Sequence, residues 1–303
     1  MEQQWAKLLE LQRQGIAEVA IHGAVAWVHG ALTIRSLGRV TTFGRSLMKP
    51  YQIKVFAKDL ATAIGPEAKA VALSSHNAEL LQLAAAKSML PKDEAKFLLT
   101  PPSHPLSGST DPKAHQDRWH HPCSGKHAAI LMGSKLRGWS QLDYLSANHP
   151  YHQAYLAELR TVLGSGWTPA VTASDGCGLP THTMTLDDMA KLFAALVANR
   201  HEDWIWSSMV EFPELIGGHG RLDTAIMQAG KGKVVAKEGA DGLLGLAIDH
   251  SDYPNGLGIV IKTAHGWDPK MMGYIASRVL KPLGIDYPGP DAPAGQTIIA
   301  PNL

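Results

Sequence analysis

Three short apolar runs in the last third of the 303-residue chain constrain its fold more than any other feature. They cover residues 233–237, 243–249 and 257–263, and each has the length of a strand. Their close spacing predicts an antiparallel meander, and the segment 268–281 that follows predicts a closing helix. With helices expected in the middle of the chain and strands near both ends, the pattern indicates an α+β fold.

The remaining elements are predicted from periodicity and capping signals. Residues 17–36 alternate apolar and polar positions around Gly23 and Gly30, which predicts a hairpin of strands. The apolar run 70–73 predicts a buried strand. Residues 101–122 are rich in proline, serine and histidine and predict an ordered loop or lid. Further helices are expected near 51–63, 79–89, 126–137, 149–163 and 186–199, the last capped by Thr185 and Asp188, and a strand at 171–173.

Composition and charge exclude several classes of protein. Apolar residues make up 45% and charged residues 18%, which is typical of a globular chain. The net charge of +1 offers no electrostatic footprint for nucleic acid or an anionic membrane. No stretch approaches the roughly 20 apolar residues of a membrane helix, and the N-terminus has no apolar signal segment. We therefore expect a cytoplasmic protein with one large domain or two tightly joined subdomains.

The segment from Gly44 to Pro50 contains a serine and a lysine three residues apart. On one turn of helix, Ser46 and Lys49 would share a face. A serine hydroxyl becomes an effective nucleophile when a base takes its proton, and a lysine whose pKa is lowered by burial or by a neighbouring cation such as Arg45 can be that base. Taken alone, the spacing favours an ordinary helix start with a solvated lysine.

Two further polar segments follow apolar runs. Ser75 lies in the turn Ser74–Asn77 after a predicted strand, where active-site loops usually lie, although Ser75 or Asn77 could simply cap the next helix. Lys237 ends an apolar run just before a glycine turn. A cavity there would lower the pKa of Lys237, and the alternative is a surface lysine in a hairpin turn.

The two cysteines, Cys123 and Cys177, occur in glycine-bearing polar turns rather than in the apolar stripes usual for structural cysteines. Two thiolates with one more ligand and a water would form an open tetrahedral zinc site. From the residues alone, two cysteines without a bound metal are favoured over this zinc site. A disulfide between the two cysteines is the other alternative, which a reducing cytosol disfavours.

Taken together and in this order, five segments resemble the rhizobial-type L-asparaginases, also called the asparaginase II family. The resemblance runs from about residue 18 to residue 265, and the ordered set is far more specific than any single block. The chain departs from the family pattern at Asn77 and Ala78, where a glycine is expected before Glu79, and in a short N-terminal hairpin. The blocks are Arg45-Ser46-x-x-Lys49-Pro50, the Ser75-His76 turn, Cys123-Ser124-Gly125-Lys126-His127, Asp175-Gly176-Cys177-Gly178-Leu179-Pro180 and Ala236-Lys237-x-Gly239-Ala240-x-Gly242.

The resemblance implies a fold similar to the serine β-lactamases and penicillin-binding proteins, with an antiparallel sheet flanked by helices and a helical subdomain. It also implies one asparaginase II-like domain over residues 1–303, a homodimer, and hydrolysis of L-asparagine to L-aspartate and ammonia by serine–lysine catalysis. The implied catalytic pairs are Ser46 with Lys49 and Ser75 with Lys237. The implied zinc ligands are Cys123, Lys126 and Cys177. The implied substrate-binding residues are Arg45 for the α-carboxylate, Asp175 for the α-ammonium, and His127.

Three alternative functions remain open from the residues. A penicillin-recognising acyl-serine hydrolase would keep Ser46 and Lys49 but needs a lysine–threonine–glycine strand, and Lys262-Thr263-Ala264 lacks the glycine. A glutaminase would use the same residues on a longer amide. A non-catalytic zinc- or amino-acid-binding protein would need no Ser46, so the intact serine–lysine set argues against it. Gly217–Gly220 lacks the lysine and serine of a phosphate loop and is expected to be a flexible turn.

Overall fold

The computed structural model describes residues 3–106 and 116–301, so part of the predicted lid at 101–122 lies outside the described residues. The described strands are β1 (Ala6–Arg13), β2 (Ile16–His29), β3 (Leu32–Leu37), β4 (Thr41–Phe43), β5 (Thr172–Ser174), β6 (Pro180–Thr185), β7 (Val234–Gly239), β8 (Leu243–Ile248), β9 (Leu257–Thr263) and β10 (Thr297–Ile299). The described α-helices are α1 (Lys49–Lys54), α2 (Ala57–Leu60), α3 (Pro66–Ala72), α4 (Leu80–Ser88), α5 (Ser124–Leu136), α6 (Pro150–Leu163), α7 (Leu186–Ala198), α8 (Ile205–Glu211), α9 (Pro213–Ile216), α10 (Leu222–Gly230) and α11 (Pro269–Leu280).

This mixture of antiparallel sheet and helix is an α+β architecture, as predicted. The chain divides into two compact units. The first consists of residues 1–42, 184–198 and 225–303, and the second of residues 43–183 and 199–224. None of the helices in the described part of the chain is both long and apolar enough to cross a membrane.

One sheet dominates the first unit. Its strand order is β10-β1-β2-β9-β8-β7, with β3 branching from β2, and the pairings are antiparallel. The predicted meander is confirmed, because β7, β8 and β9 are sequential neighbours. Every residue in these three strands is buried, which explains why the sequence shows continuous apolar runs rather than alternation. The predicted closing helix is α11.

Helix α7 packs on the sheet against β9, β2 and β8. Its predicted start is confirmed, since Asp188 N donates to Thr185 Oγ1 at 3.0 Å and Thr185 N donates to Asp188 Oδ2 at 3.3 Å. The close approach of helix and strand depends on Gly258 in β9, where a Cβ would overlap the carbonyl oxygen of Ala190. Because Gly258 has no side chain, α7 can pack closely against the sheet.

The second unit is mainly helical, and α5 lies at its centre. Helix α5 packs against α3 and α4, and α3 also packs against α8 and α9. The contact is close because α5 has glycines where it is crossed: a Cβ at Gly125 would overlap Val71, and one at Gly133 would overlap the Phe56 ring. The predictions of helices near 79–89, 126–137 and 149–163 are confirmed by α4, α5 and α6. A second sheet has three strands in the order β4-β6-β5.

The prediction of a strand at residues 70–73 is wrong, because this run forms the end of α3 and its cap. Gly65 precedes the helix, Pro66 occupies its first turn and Glu67 follows, all of which favour a helix N-terminus. The run is fully buried among other helices. A short apolar run enclosed on every side looks the same in a buried helix and in a buried strand.

The predicted N-terminal hairpin is confirmed by β2 and β3, with its turn at Gly30. Gly30 lies between β2 and β3 with φ of 59°, and Gly15 with φ of 83° makes the turn between β1 and β2. Gly23 lies inside β2, where a Cβ would overlap the carbonyl oxygen of Lys262 on the neighbouring β9. This glycine permits close packing rather than a turn.

We predict that Gly258→Ala destabilises the protein by about 1–3 kcal/mol, since the new methyl group must push α7 away from β9. The free energy of unfolding from urea titration measures the effect. Gly166→Ala is the matched control, because nothing lies within 4 Å of a Cβ at that position. Equal stability of the two variants would contradict the close contact.

Candidate active site

Ser46 and Lys49 lie where a 3₁₀ turn, Arg45–Met48, runs into helix α1. Pro50 occupies the first turn of α1, and the backbone N–H of Lys49 donates to the carbonyl oxygen of Ser46. Ser46 is half-buried, whereas the Lys49 side chain is 0% exposed. Complete burial rules out the alternative of a solvated lysine at an ordinary helix start.

The structure brings Lys49 to Ser75, a contact that the sequence analysis did not predict. Lys49 Nζ donates to Ser75 Oγ at 2.9 Å, to the carbonyl oxygen of Pro122 at 3.3 Å and to that of Ser74. The two side chains are 26 residues apart, and no local pattern links them. Ser75 therefore hydrogen bonds the lysine that the sequence analysis paired with Ser46.

The backbone of Ser75 is held from both sides. Its N–H donates to the carbonyl oxygen of Ile216 at 2.9 Å, and its carbonyl oxygen accepts from Arg221 Nη1 at 3.1 Å. Arg221 also donates to Asn77 Oδ1 at 3.2 Å, and Asn77 Nδ2 donates to the carbonyl oxygen of His219 at 3.1 Å. Hydrogen bonds through Asn77 and Arg221 thus connect the 217–221 loop to the turn Ser74–Asn77, called the serine turn below.

Ser75 and Asn77 do not cap the next helix. The N-cap of α4 is Glu79, which forms a capping box with Gln82. Ala78 ahead of it has φ of 65°, in the left-handed region that glycine adopts most easily. The departure from the family pattern noted at this position therefore places an alanine in a conformation suited to glycine.

His76 links the serine turn to the start of α5. Ala78 N donates to His76 Nδ1 at 3.1 Å, so this nitrogen carries no proton and Nε2 is the donor to Ser124 Oγ at 2.8 Å. Ser124 Oγ in turn donates to the carbonyl oxygen of Trp119 at 2.8 Å. Burial, with the charge of Lys49 adding to it, lowers the pKa of His76 to about 3. His76 is therefore a neutral, fully satisfied link.

The three predicted metal ligands converge in the second unit. Cys123 directly precedes α5, Lys126 lies in its first turn, and Cys177 lies in the turn between β5 and β6. Lys126 Nζ donates to Cys177 Sγ at 3.5 Å. Both cysteines are buried and free, and Lys126 is 1% exposed. The structure thus joins residues from distant parts of the sequence into one buried sulfur–amine cluster.

The electrostatics of this cluster are dominated by the two thiols. A hydrogen bond from the Cys177 thiol holds the pKa of Cys123 well below its usual value, and the same interaction raises the pKa of Cys177. Burial opposes the charged form of Lys126, but the negative charge of the cysteines outweighs it and raises the pKa of this lysine. A Cys123 thiolate and the Lys126 ammonium group carry opposite charges and can thus balance each other without a metal.

The donor set nevertheless suits a metal such as zinc. Two thiolates are favoured zinc ligands, and the amine becomes a ligand once it loses its proton. Across residues 3–106 and 116–301, no group of three or more His, Cys, Asp or Glu side chains is arranged to hold a metal ion. A metal centred on Cys123 and Cys177 would therefore need the Lys126 amine as a third protein ligand.

Arg45 and Asp175 are paired with each other. Arg45 Nε and Nη2 both lie 2.9 Å from Asp175 Oδ1, and the two side chains are 25% and 11% exposed. Arg45 has φ of 47°, which is rare for a residue with a side chain, and its N–H donates to Thr181 Oγ1 at 3.2 Å. The predicted carboxylate-binding and ammonium-binding groups are thus neighbours in a partly open setting.

His127 is buried beside this cluster. Its Nδ1 lies 2.8 Å from Tyr144 Oη, and its Nε2 has no hydrogen-bond partner in the described part of the chain. Burial, then the charge of Lys126, lowers the pKa of His127 well below its usual value, so the ring is neutral. The sequence offered no signal for Tyr144, because contact with His127 depends on the fold.

Lys237 belongs to the first unit and is 0% exposed. It lies within β7 rather than at its end, and its Nζ donates to the carbonyl oxygen of Glu238 at 2.9 Å. The alternative of a surface lysine in a hairpin turn is therefore wrong. The pairing of Lys237 with Ser75 stays a prediction.

A known protein family matches most of the chain. The family model described as L-asparaginase II matches residues 9–300 of 303. No curated protein matches the chain.

We predict that His76 makes the protein less stable as the pH falls. The unfolded histidine takes a proton below its usual pKa of 6.5, whereas the buried ring does so only near 3. Stability is therefore complete above pH 6.5 and is lost between these values, by about 2 kcal/mol at pH 5. Urea unfolding at pH 7 and pH 5 should show a smaller difference for His76→Gln than for wild type. The exposed His201→Gln control should keep the wild-type difference, and identical behaviour of both variants would contradict the assignment.

Proposed function

The chain belongs to the L-asparaginase II family, and on that premise we propose that it hydrolyses L-asparagine to L-aspartate and ammonia by serine–lysine catalysis. The single observation that supports this chemistry best is the buried hydrogen bond of 2.9 Å from Lys49 Nζ to Ser75 Oγ. A buried lysine beside a serine hydroxyl provides the base that a serine nucleophile needs. A binding protein would not need this arrangement.

In the proposed reaction, the neutral amine of Lys49 takes the hydroxyl proton of Ser46, the serine that the family resemblance pairs with it, and Ser46 Oγ attacks the side-chain amide carbon. The C–N bond then breaks, and the nitrogen receives a proton from a lysine ammonium as ammonia leaves. Water hydrolyses the resulting aspartyl ester and restores the serine hydroxyl. Lys237 is the proposed second proton-transfer residue, paired with Ser75.

Ser75 is a second candidate nucleophile, and a specific contact favours it. Its hydroxyl accepts directly from Lys49, while its backbone is held at both the N–H and the carbonyl group. A nucleophile held in this way loses little freedom when the substrate binds.

Arg45, Asp175 and His127 are the proposed substrate-binding residues. The zwitterionic end of an amino acid matches the ion pair of Arg45 and Asp175, since its carboxylate can bind the guanidinium and its ammonium the carboxylate. When the α-carboxylate and the α-ammonium are both held, the position of the side-chain amide carbon is fixed by the length of the side chain. Glutamine is one methylene longer, and a misplacement of about 1 Å can reduce the rate by ~100-fold, so asparagine should be preferred.

We also propose that Cys123, Lys126 and Cys177 hold one zinc ion. When bound, the ion would supply positive charge that keeps both thiols deprotonated and favours the neutral lysine amine. The three residues converge in the fold and are buried, which supports this set.

Three further features are proposed from the family resemblance alone. They are a fold like that of the serine β-lactamases and penicillin-binding proteins, a single asparaginase II-like domain over residues 1–303, and a homodimer. The antiparallel sheet with α7 packed on it and the helical second unit are compatible with the first of these.

We predict ammonia release from L-asparagine, much slower release from L-glutamine, and no hydrolysis of a chromogenic β-lactam. Ser46→Ala should abolish the reaction without unfolding the protein, with Ser75→Ala tested in parallel and Ser251→Ala, an exposed serine, as the control. Comparable turnover of both amides would indicate a glutaminase-asparaginase. Wild-type rates from Ser46→Ala together with loss in Ser75→Ala would move the nucleophile to Ser75.

We predict one zinc per chain in protein purified under reducing conditions, and loss of zinc in Cys177→Ser, because a single thiolate with a lysine holds the ion poorly. Elemental analysis measures the metal, and thiol titration counts free cysteines. Ser251→Ala is again the control. Absence of stoichiometric metal, with no thiol titratable in denatured protein that was purified without reductant, would instead establish a Cys123–Cys177 disulfide.

A further inference from the structure

A buried hydrogen-bonded relay ends on the side chain of His127. The backbone N–H of Leu99 donates to Tyr144 Oη at 3.0 Å, and His127 Nδ1 lies 2.8 Å from the same oxygen. Both Tyr144 and His127 are 0% exposed. Their rings meet edge to face with centroids 5.5 Å apart, so the geometry of the pair is also held by packing.

The number of protons in this relay determines the histidine tautomer. Tyr144 Oη has one proton and already accepts the Leu99 N–H. If His127 Nδ1 were protonated, two groups would lack partners in the described residues, the tyrosine proton and the lone pair of Nε2. If Nε2 is protonated instead, Tyr144 donates to Nδ1 and only the Nε2–H lacks a partner, so this tautomer is favoured.

The Nε2–H group has no acceptor in the described part of the chain, although it is fully buried. A buried donor without a partner is unfavourable, so such a group is expected to meet a ligand or an ordered water. His127 follows Lys126 in the first turn of α5, and Cys123 is the residue directly before that helix. The histidine with the unpaired donor thus lies at the same helix end as two of the proposed metal ligands.

We propose that Tyr144 is a positioning residue that holds His127 in the Nε2–H tautomer, so that this N–H donates to an oxygen of the bound substrate. The inference rests on the proposed function, in which His127 contacts the substrate. To the proposed function it adds that Tyr144 sets the tautomer, that Nε2 of His127 is the donor atom, and that the ligand atom it meets is an oxygen acceptor.

Nitrogen NMR of protein labelled with ¹⁵N-histidine tests the tautomer without any assay of activity. The His127 signals are identified by their loss in His127→Gln. In wild type, Nδ1 should have the shift of an unprotonated nitrogen and Nε2 that of a protonated one, and Tyr144→Phe should mix the two forms. A protonated Nδ1 in wild type, or an unchanged tautomer in Tyr144→Phe, overturns the proposal.

Steady-state kinetics with L-asparagine test the role of the donor. Loss of a hydrogen bond to a charged or strongly polarised oxygen should reduce kcat/KM of Tyr144→Phe about 10- to 100-fold. A raised KM alone assigns the acceptor to the α-carboxylate, and a lowered kcat assigns it to the amide oxygen. A loss below about threefold overturns the role.

Tyr151→Phe is the matched control, because it removes another fully buried tyrosine hydroxyl, one that has no hydrogen-bond partner in the described residues. It should keep the tautomer and kcat/KM of wild type. An equal loss in both variants would reduce Tyr144 to a packing residue.

Titration with L-aspartate separates failure of this inference from failure of the proposed function. Binding should shift the His127 Nε2–H proton signal in wild type and not in Tyr144→Phe. If wild type releases no ammonia yet shows this shift, the function fails and the donor assignment stands. If asparagine is hydrolysed without any shift on aspartate binding, Nε2–H meets only water and the inference fails.

Discussion

The buried amine of Lys49 is the interaction on which the rest of the candidate site depends. An amine taken out of water is strongly unfavourable unless polar partners replace the lost solvent. Its partners are the hydroxyl of Ser75 and the carbonyl oxygens of Ser74 and Pro122. These groups come from the turn after α3 and from the residue before Cys123, so hydrogen bonding to one lysine ties the start of α1 to both segments.

A second layer of polar contacts supports this arrangement. His76 receives a backbone N–H and donates to Ser124, so the serine turn and the first residue of α5 move together. Gly125 allows α5 to approach α3 closely, which brings Lys126 and the turn of Ser75 into the same buried region. Small residues and neutral histidines thus allow a dense polar site within an apolar helical unit, where an unmatched charge would be disfavoured.

Much of the fold was predictable because strongly patterned segments depend on local physics. The runs that became β7, β8 and β9, the capped start of α7 and the helices α4, α5, α6 and α11 all have periodicity or capping signals within their own residues. Helices α8, α9 and α10 were not predicted, and residues 70–73 were assigned to a strand. These segments are short or enclosed by other helices, so their patterns do not distinguish the two structures.

The sequence by itself determined the family, the α+β class and the residue types of the candidate site, since each block carries its chemistry within a few neighbouring positions. Only the tertiary structure decided which of these residues meet. It placed Lys49 against Ser75, paired Arg45 with Asp175 and set Tyr144 on His127. Such contacts join side chains separated by 17 to 130 positions, and they form only when helix packing and turn geometry bring distant backbone segments together.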